Sequence, residues 1–121
     1  MSLKNVATED WEYKFSEGDG SVEVQNQPSL KVKCGGKGAY FEKIKVKVSS
    51  FSISNVISGG SGEGEIKGSA QKLKIEGQPA VLEGDESEKF GVIGVDPAGH
   101  MITYYVTIKV QSAGQTKVKA E

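Results

Sequence analysis

Turn-forming residues punctuate this chain every 8–12 positions or so, and between them apolar residues recur at every second position. That rhythm constrains the fold more than any other feature. A period of two places alternate side chains on opposite faces of a strand, whereas a helix needs a stripe with a period near 3.6. No window long enough for a helix carries such a stripe. The clearest run is Ile102, Tyr104, Val106, Ile108 and Val110, five apolar positions in step with Thr103, Tyr105, Thr107 and Lys109 between them. Trp11, Tyr13 and Phe15 alternate with Glu12 and Lys14, and Ile44, Val46 and Val48 alternate with lysines. The phase then changes at Ser49-Ser50, because Phe51 and Ile53 occupy odd positions. One extra residue turns every later side chain to the other face, so a bulge or bend is expected there.

The whole pass yields roughly nine or ten short strands. Further strands are expected at Val22–Val24, Leu30–Val32, Leu73–Ile75, Ala80–Leu82 and Phe90–Val95, with a short last one at 116–119. The reading is an all-β, turn-rich single domain, sandwich or barrel-like. Residues 1–10 are polar and expected to be a loose N-terminal segment, so the domain spans 11–121. Residues 55–65 hold four glycines and two serines and read as a flexible loop. No internal repeat of a whole motif is evident.

Composition narrows the function classes. With 121 residues there is room for one modest core. All 15 basic residues are lysine, and the net charge is −1. Without arginine the usual bidentate reader of guanine and phosphate is missing, and a near-neutral chain lacks the electrostatic footprint of a nucleic-acid binder. No apolar run is long enough for a membrane-spanning helix. The N-terminus lacks the apolar core of a signal peptide, so synthesis in the cytoplasm is expected, with any export as part of a particle.

Candidate chemistry is sparse. Cys34 has no partner for an internal disulfide. Cys34 and His100 are the only cysteine and histidine, 66 positions apart, so no metal and no cofactor is expected. A serine nucleophile would need His100 as its base, and Asp96 reads better as a residue that caps its own turn. Glu63/Glu65 and Asp85/Glu86/Glu88 lie among Gly and Ser and read as solvated charge. No catalytic residue is assigned, and the chain is not expected to be an enzyme. Trp11, Tyr13, Tyr104 and Tyr105 are the candidates for an aromatic ligand or interface face, which would suit a carbohydrate-binding module as the alternative function.

One segment points to a named function. Residues 68–86 run Gly68-Ser69, an alternating strand, Gly77-Gln78-Pro79-Ala80, an apolar strand, then Gly84-Asp85. Each turn residue has a physical role. Glycine supplies positive φ, Pro79 fixes its own φ and ends pairing, and Asp85 can bond its own turn backbone. This order resembles the signature of the PAAR-type spike-tip proteins of phage tails and contractile injection systems. The matching residues are Gly68, Ser69, Gly77, Pro79, Ala80, Gly84 and Asp85. The resemblance implies a non-enzymatic structural part that docks on a symmetric protein partner such as a trimeric spike, or forms a homo-oligomer. The family commonly repeats the motif, and its tip gathers His and Cys around a metal. This chain shows one evident copy and lacks those ligands.

Overall fold

A computed structural model of the chain describes residues 3–121, all of whose regular elements are strands. They are β1 (Lys4–Asn5), β2 (Glu12–Phe15), β3 (Asp19–Val24), β4 (Lys33–Cys34), β5 (Lys37–Gly38), β6 (Lys43–Ile53) and β7 (Ile57–Lys67). There follow β8 (Lys74–Ile75), β9 (Gln78–Pro79), β10 (Phe90–Val95), β11 (Met101–Val106), β12 (Ile108–Ser112) and β13 (Lys119–Ala120). The all-β expectation holds.

The long strands build the body. An antiparallel sheet runs β11-β10-β7-β6-β3, and a separate ribbon pairs β12 with β2. The sheet, with β11 and β3 at its edges, and the ribbon together enclose one core of Phe15, Ile44, Val46, Val48, Phe51, Ile57, Ile66, Val92, Val106, Ile108 and Val110, an open, barrel-like body. The even-numbered residues Ile44, Val46 and Val48 face this core and the lysines between them face out. The expected irregularity is present. The β6–β7 register shifts between Val48 and Phe51, and Ser50 has φ 53°, so Phe51 returns to the core face despite the change of phase.

Several sequence expectations need correction. The glycine-rich stretch 55–65 is not a loop. From Ile57 on it forms most of β7, hydrogen-bonded between β6 and β10. Its glycines are there for closeness: a Cβ on Gly62 would lie 2.3 Å from the carbonyl oxygen of Gly91, and one on Gly64 would lie 2.7 Å from the Phe90 ring. The run Ile102–Val110 is two strands, β11 on β10 and β12 on β2, divided at Thr107. The strand expected at Leu30–Val32 is only Lys33–Cys34, and Leu30 is exposed. Ala80–Leu82 joins through isolated bridges rather than a ladder. The segment 1–10 is not loose where it is described: β1 pairs with β13, and Val6, Ala7 and Thr8 are fully buried. Met1 and Ser2 lie outside the described residues.

The largest correction concerns repetition. Three short two-stranded units close one end of the barrel: β4–β5, β8–β9 and β13–β1. The first two turn through Gly35-Gly36 (φ 64° and 82°) and Glu76-Gly77 (φ 51° and 83°), the double positive φ that a tight type I′ hairpin requires. The third is made by the two ends of the chain, with Lys4 opposite Ala120 as Lys37 is opposite Cys34. The segments that leave these units form a closed ring of hydrogen bonds. Ala7 N donates to Val81 O (2.8 Å), Val81 N to Tyr40 O (3.0 Å) and Tyr40 N to Ala7 O (2.9 Å). A second set of bonds joins the same three segments in the opposite sense, with Glu9 N to Gly38 O, Glu42 N to Pro79 O and Glu83 N to Asn5 O. Bridges Thr8–Ala39, Phe41–Ala80 and Leu82–Val6 close the same triangle. This end of the molecule is therefore a quasi-threefold triplicate within one chain.

Candidate docking end

The triplicate places like residues in like positions. Lys31-Val32-Lys33-Cys34, Lys72-Leu73-Lys74-Ile75 and Lys117-Val118-Lys119-Ala120 form the incoming limbs. Val32 O, Leu73 O and Val118 O accept from Ala39 N, Ala80 N and Val6 N at 3.1, 3.2 and 3.1 Å. Cys34, Ile75 and Ala120 then turn inward and pack with Val6, Ala39, Ala70, Ala80 and Leu82 in a second, smaller core. Burial among these apolar neighbours pushes the Cys34 thiol above its ordinary pKa.

The motif residues of 68–86 build one of these three units. A Cβ on Gly68 would lie 2.5 Å from Pro79 O, so only glycine lets the two backbones pass. Ser69 donates its hydroxyl to Asp85 Oδ1 and its backbone N–H to Asp85 Oδ2 (3.1 Å). Leu82 N donates to the same oxygen at 2.8 Å. Asp85 N returns a bond to Leu82 O (3.0 Å), and Val110 N bonds Asp85 O (2.9 Å), which ties the unit to β12. Gly84 takes φ 94° and donates its N–H to Val110 O. Thus Gly68, Ser69, Pro79, Ala80, Gly84 and Asp85 come together, while Gly77 stands at the hairpin tip. Asp85 was expected among solvated surface charge, yet it is only 8% exposed, and Ser87 is buried beside it. A carboxylate with three donors can be buried without an opposing cation.

Sequence reading missed the residues that cap the incoming limbs of the other two units. Ser29 Oγ accepts from Lys31 N (3.2 Å) and Val32 N (3.0 Å). Gln115 Oε1 accepts from the matching atoms, Lys117 N (2.7 Å) and Val118 N (2.8 Å). The Gln115 amide nitrogen also donates to Val6 O (2.9 Å), where the other units use the backbone N–H of Ser29 or Ala70 on Ala39 O or Ala80 O. A glutamine in one copy thus replaces backbone in the other two. Only the shared Lys-x-Lys spacing signalled this.

The aromatic candidates do not form a face together. Trp11, Tyr13, Phe15 and Phe51 make an edge-on ladder with ring centroids 6.2, 5.5 and 5.2 Å apart, and its inner end lies in the core. Tyr104 packs against the core side of β11 and donates its hydroxyl to Glu17 (2.8 Å), a bond that raises its pKa. Tyr105 points the opposite way and is 66% exposed. His100 is exposed, with Nδ1 3.7 Å from Asp96 Oδ2. Asp96 Oδ1 instead accepts from Ala98 N and His100 N, the turn-capping role expected of it. Among the described residues no three His, Cys, Asp or Glu side chains converge as a metal site would require. Grooves on the barrel wall are lined by charges of both signs, including Glu65, Lys67, Glu86 and Lys89.

Comparison with known protein families, curated proteins and solved structures finds no match to this chain.

Proposed function

We propose that this chain is a structural assembly component that docks as a single copy on a threefold-symmetric protein, in the manner implied by its resemblance to the PAAR-like spike-tip and phage-tail proteins. The supporting observation is the closed hydrogen-bond ring through Ala7, Tyr40 and Val81. A homotrimer presents three identical patches about its axis. A partner with one patch can satisfy only one of them. A chain that carries three near-equivalent units can engage all three at once, and the second and third contacts form at high effective concentration. Two tight hairpins and the backbone hydrogen bonds that tie the three units together fix the shape of that surface, which limits the ordering lost on binding. The chain works by shape in this reading, not by catalysis, and leaves the cell only as part of the particle it completes.

The test is to mix the purified chain with homotrimeric tail-spike proteins and weigh the product by light scattering. The expected species holds one copy per trimer. Three copies per trimer, or none with any of them, would remove the reading.

A further inference from the structure

Charge is segregated along this molecule although its net charge is −1. The segments 3–5, 29–38, 70–79 and 115–121, which form the three terminal units, contain eight lysines and two carboxylates. The remainder contains seven lysines and fourteen carboxylates. Six of the eight stand at repeated positions. Lys31, Lys72 and Lys117 form one set and Lys33, Lys74 and Lys119 the other, each pair flanking the residue whose carbonyl closes its unit. All six are exposed. Only Lys72 meets a carboxylate within ion-pair distance among the described residues, Glu121 at 3.0 Å. Val32, Leu73 and Val118, the residues between the lysines, are exposed or half-buried. Barrel-wall lysines differ: Lys47 lies opposite Glu23 and Glu63, and Lys43 pairs with Glu65. Stability gives no reason to gather unpaired like charges at one end, since they repel one another.

We infer that this lysine-bearing end is the docking face, and that its partner is the acidic end of a homotrimer, with carboxylates of each chain facing one Lys-x-Lys pair. This rests on the threefold docking proposed above and adds which end binds and by what chemistry. The equivalence of the three lysine pairs favours a threefold protein over a featureless anionic surface, which would need positive charge but no repetition.

The probe is a homotrimeric coiled coil whose chains each end in a glutamate-rich segment, compared by calorimetry with the same peptide held monomeric by core substitutions. The trimer is expected to bind one copy of the chain, about tenfold or more tighter than the monomeric peptide, and to weaken as salt rises. The triple variant Lys33→Glu/Lys74→Glu/Lys119→Glu is expected to lose roughly tenfold to a hundredfold in affinity, from three exposed charge pairs reversed. Each single change should lose a similar share. Because these side chains are exposed, circular dichroism should show the fold intact. Lys14→Glu/Lys89→Glu/Lys109→Glu makes the same change in net charge on the barrel wall and should bind as the unaltered chain does. Equal loss in both triple variants would reduce the effect to net charge and overturn the inference. So would tighter binding to phosphatidylglycerol vesicles than to the trimer, or head-to-tail self-association that occupies the lysine end. If a natural spike trimer takes up one copy and the Lys33/Lys74/Lys119 variant binds it undiminished, the lysine face falls while the threefold reading stands.

Discussion

Asp85 carries an unusual share of the interactions that hold this fold. Its carboxylate accepts from the Ser69 hydroxyl and from the backbone N–H groups of Ser69 and Leu82, and its own peptide group is bonded to Leu82 and Val110. Alanine there would leave buried donors without a partner. A hydrogen bond to a charged group is worth more than a neutral one, so Asp85→Ala is expected to cost about 2–4 kcal/mol and Ser69→Ala about 1–2 kcal/mol. Urea unfolding followed by Trp11 fluorescence would read both. Changes below half a kilocalorie in Asp85→Ala would show that the network is not structural. The sequence placed Asp85 in a turn with its own backbone, correctly. It did not reveal burial, because Ser69 and Val110, the residues that enclose it, are distant along the chain.

At the level of elements, β7 shows how composition can mislead. Gly59, Gly60, Gly62 and Gly64 have the signature of a linker, yet β7 is a central strand. Propensity disfavours glycine in strands, and packing overrides it here because Phe51, Phe90 and the β10 backbone occupy the space that side chains would need. Gly62→Ala is therefore expected to push β7 from β10 and cost about 1–3 kcal/mol, as overpacking does. Ser61→Ala, on an exposed position of the same strand, is expected to change stability by about 0.5 kcal/mol or less. Equal thermal midpoints for the two variants would contradict this account. The Ser49-Ser50 irregularity in the neighbouring strand was legible, because a switch of hydrophobic phase has few other causes. The glycine strand was not, because what fills its missing side chains comes from elsewhere in the sequence.

For the whole molecule, the equivalence of the three terminal units has a direct consequence. Ala120 and Lys4 are paired as Cys34 and Lys37 are, and those two residues are joined by a two-residue turn. Joining Ala120 to Lys4 through Asn-Gly, the preferred sequence for such a turn, should convert the third unit into a hairpin like the others. Opening the chain between Gly35 and Gly36 then gives a circular permutant. It is expected to fold with the same β-type circular dichroism and a stability within about 2 kcal/mol, since one short turn is exchanged for another. A permutant that fails to fold, while the chain with only Gly35-Gly36 replaced by Asn-Gly folds, would show that the three units are not equivalent.

Alternation with a period of two, a regular supply of turn residues and the absence of helical stripes determined the all-β class, because which face a side chain takes depends on its immediate neighbours along the strand. The turns of 68–86 were readable for the same reason: positive φ, a fixed proline φ and an Asp that bonds its own backbone are local properties. The threefold arrangement was decided by tertiary structure. Its copies share little beyond Lys-x-Lys and an inward small or apolar residue, Cys34, Ile75 and Ala120 lie 41 and 45 positions apart, and the third copy is divided between the two ends of the chain. Only closure of the backbone ring through Ala7, Tyr40 and Val81 makes them equivalent, because hydrogen bonds between peptide groups depend on where the backbone runs and leave little trace in side-chain identity.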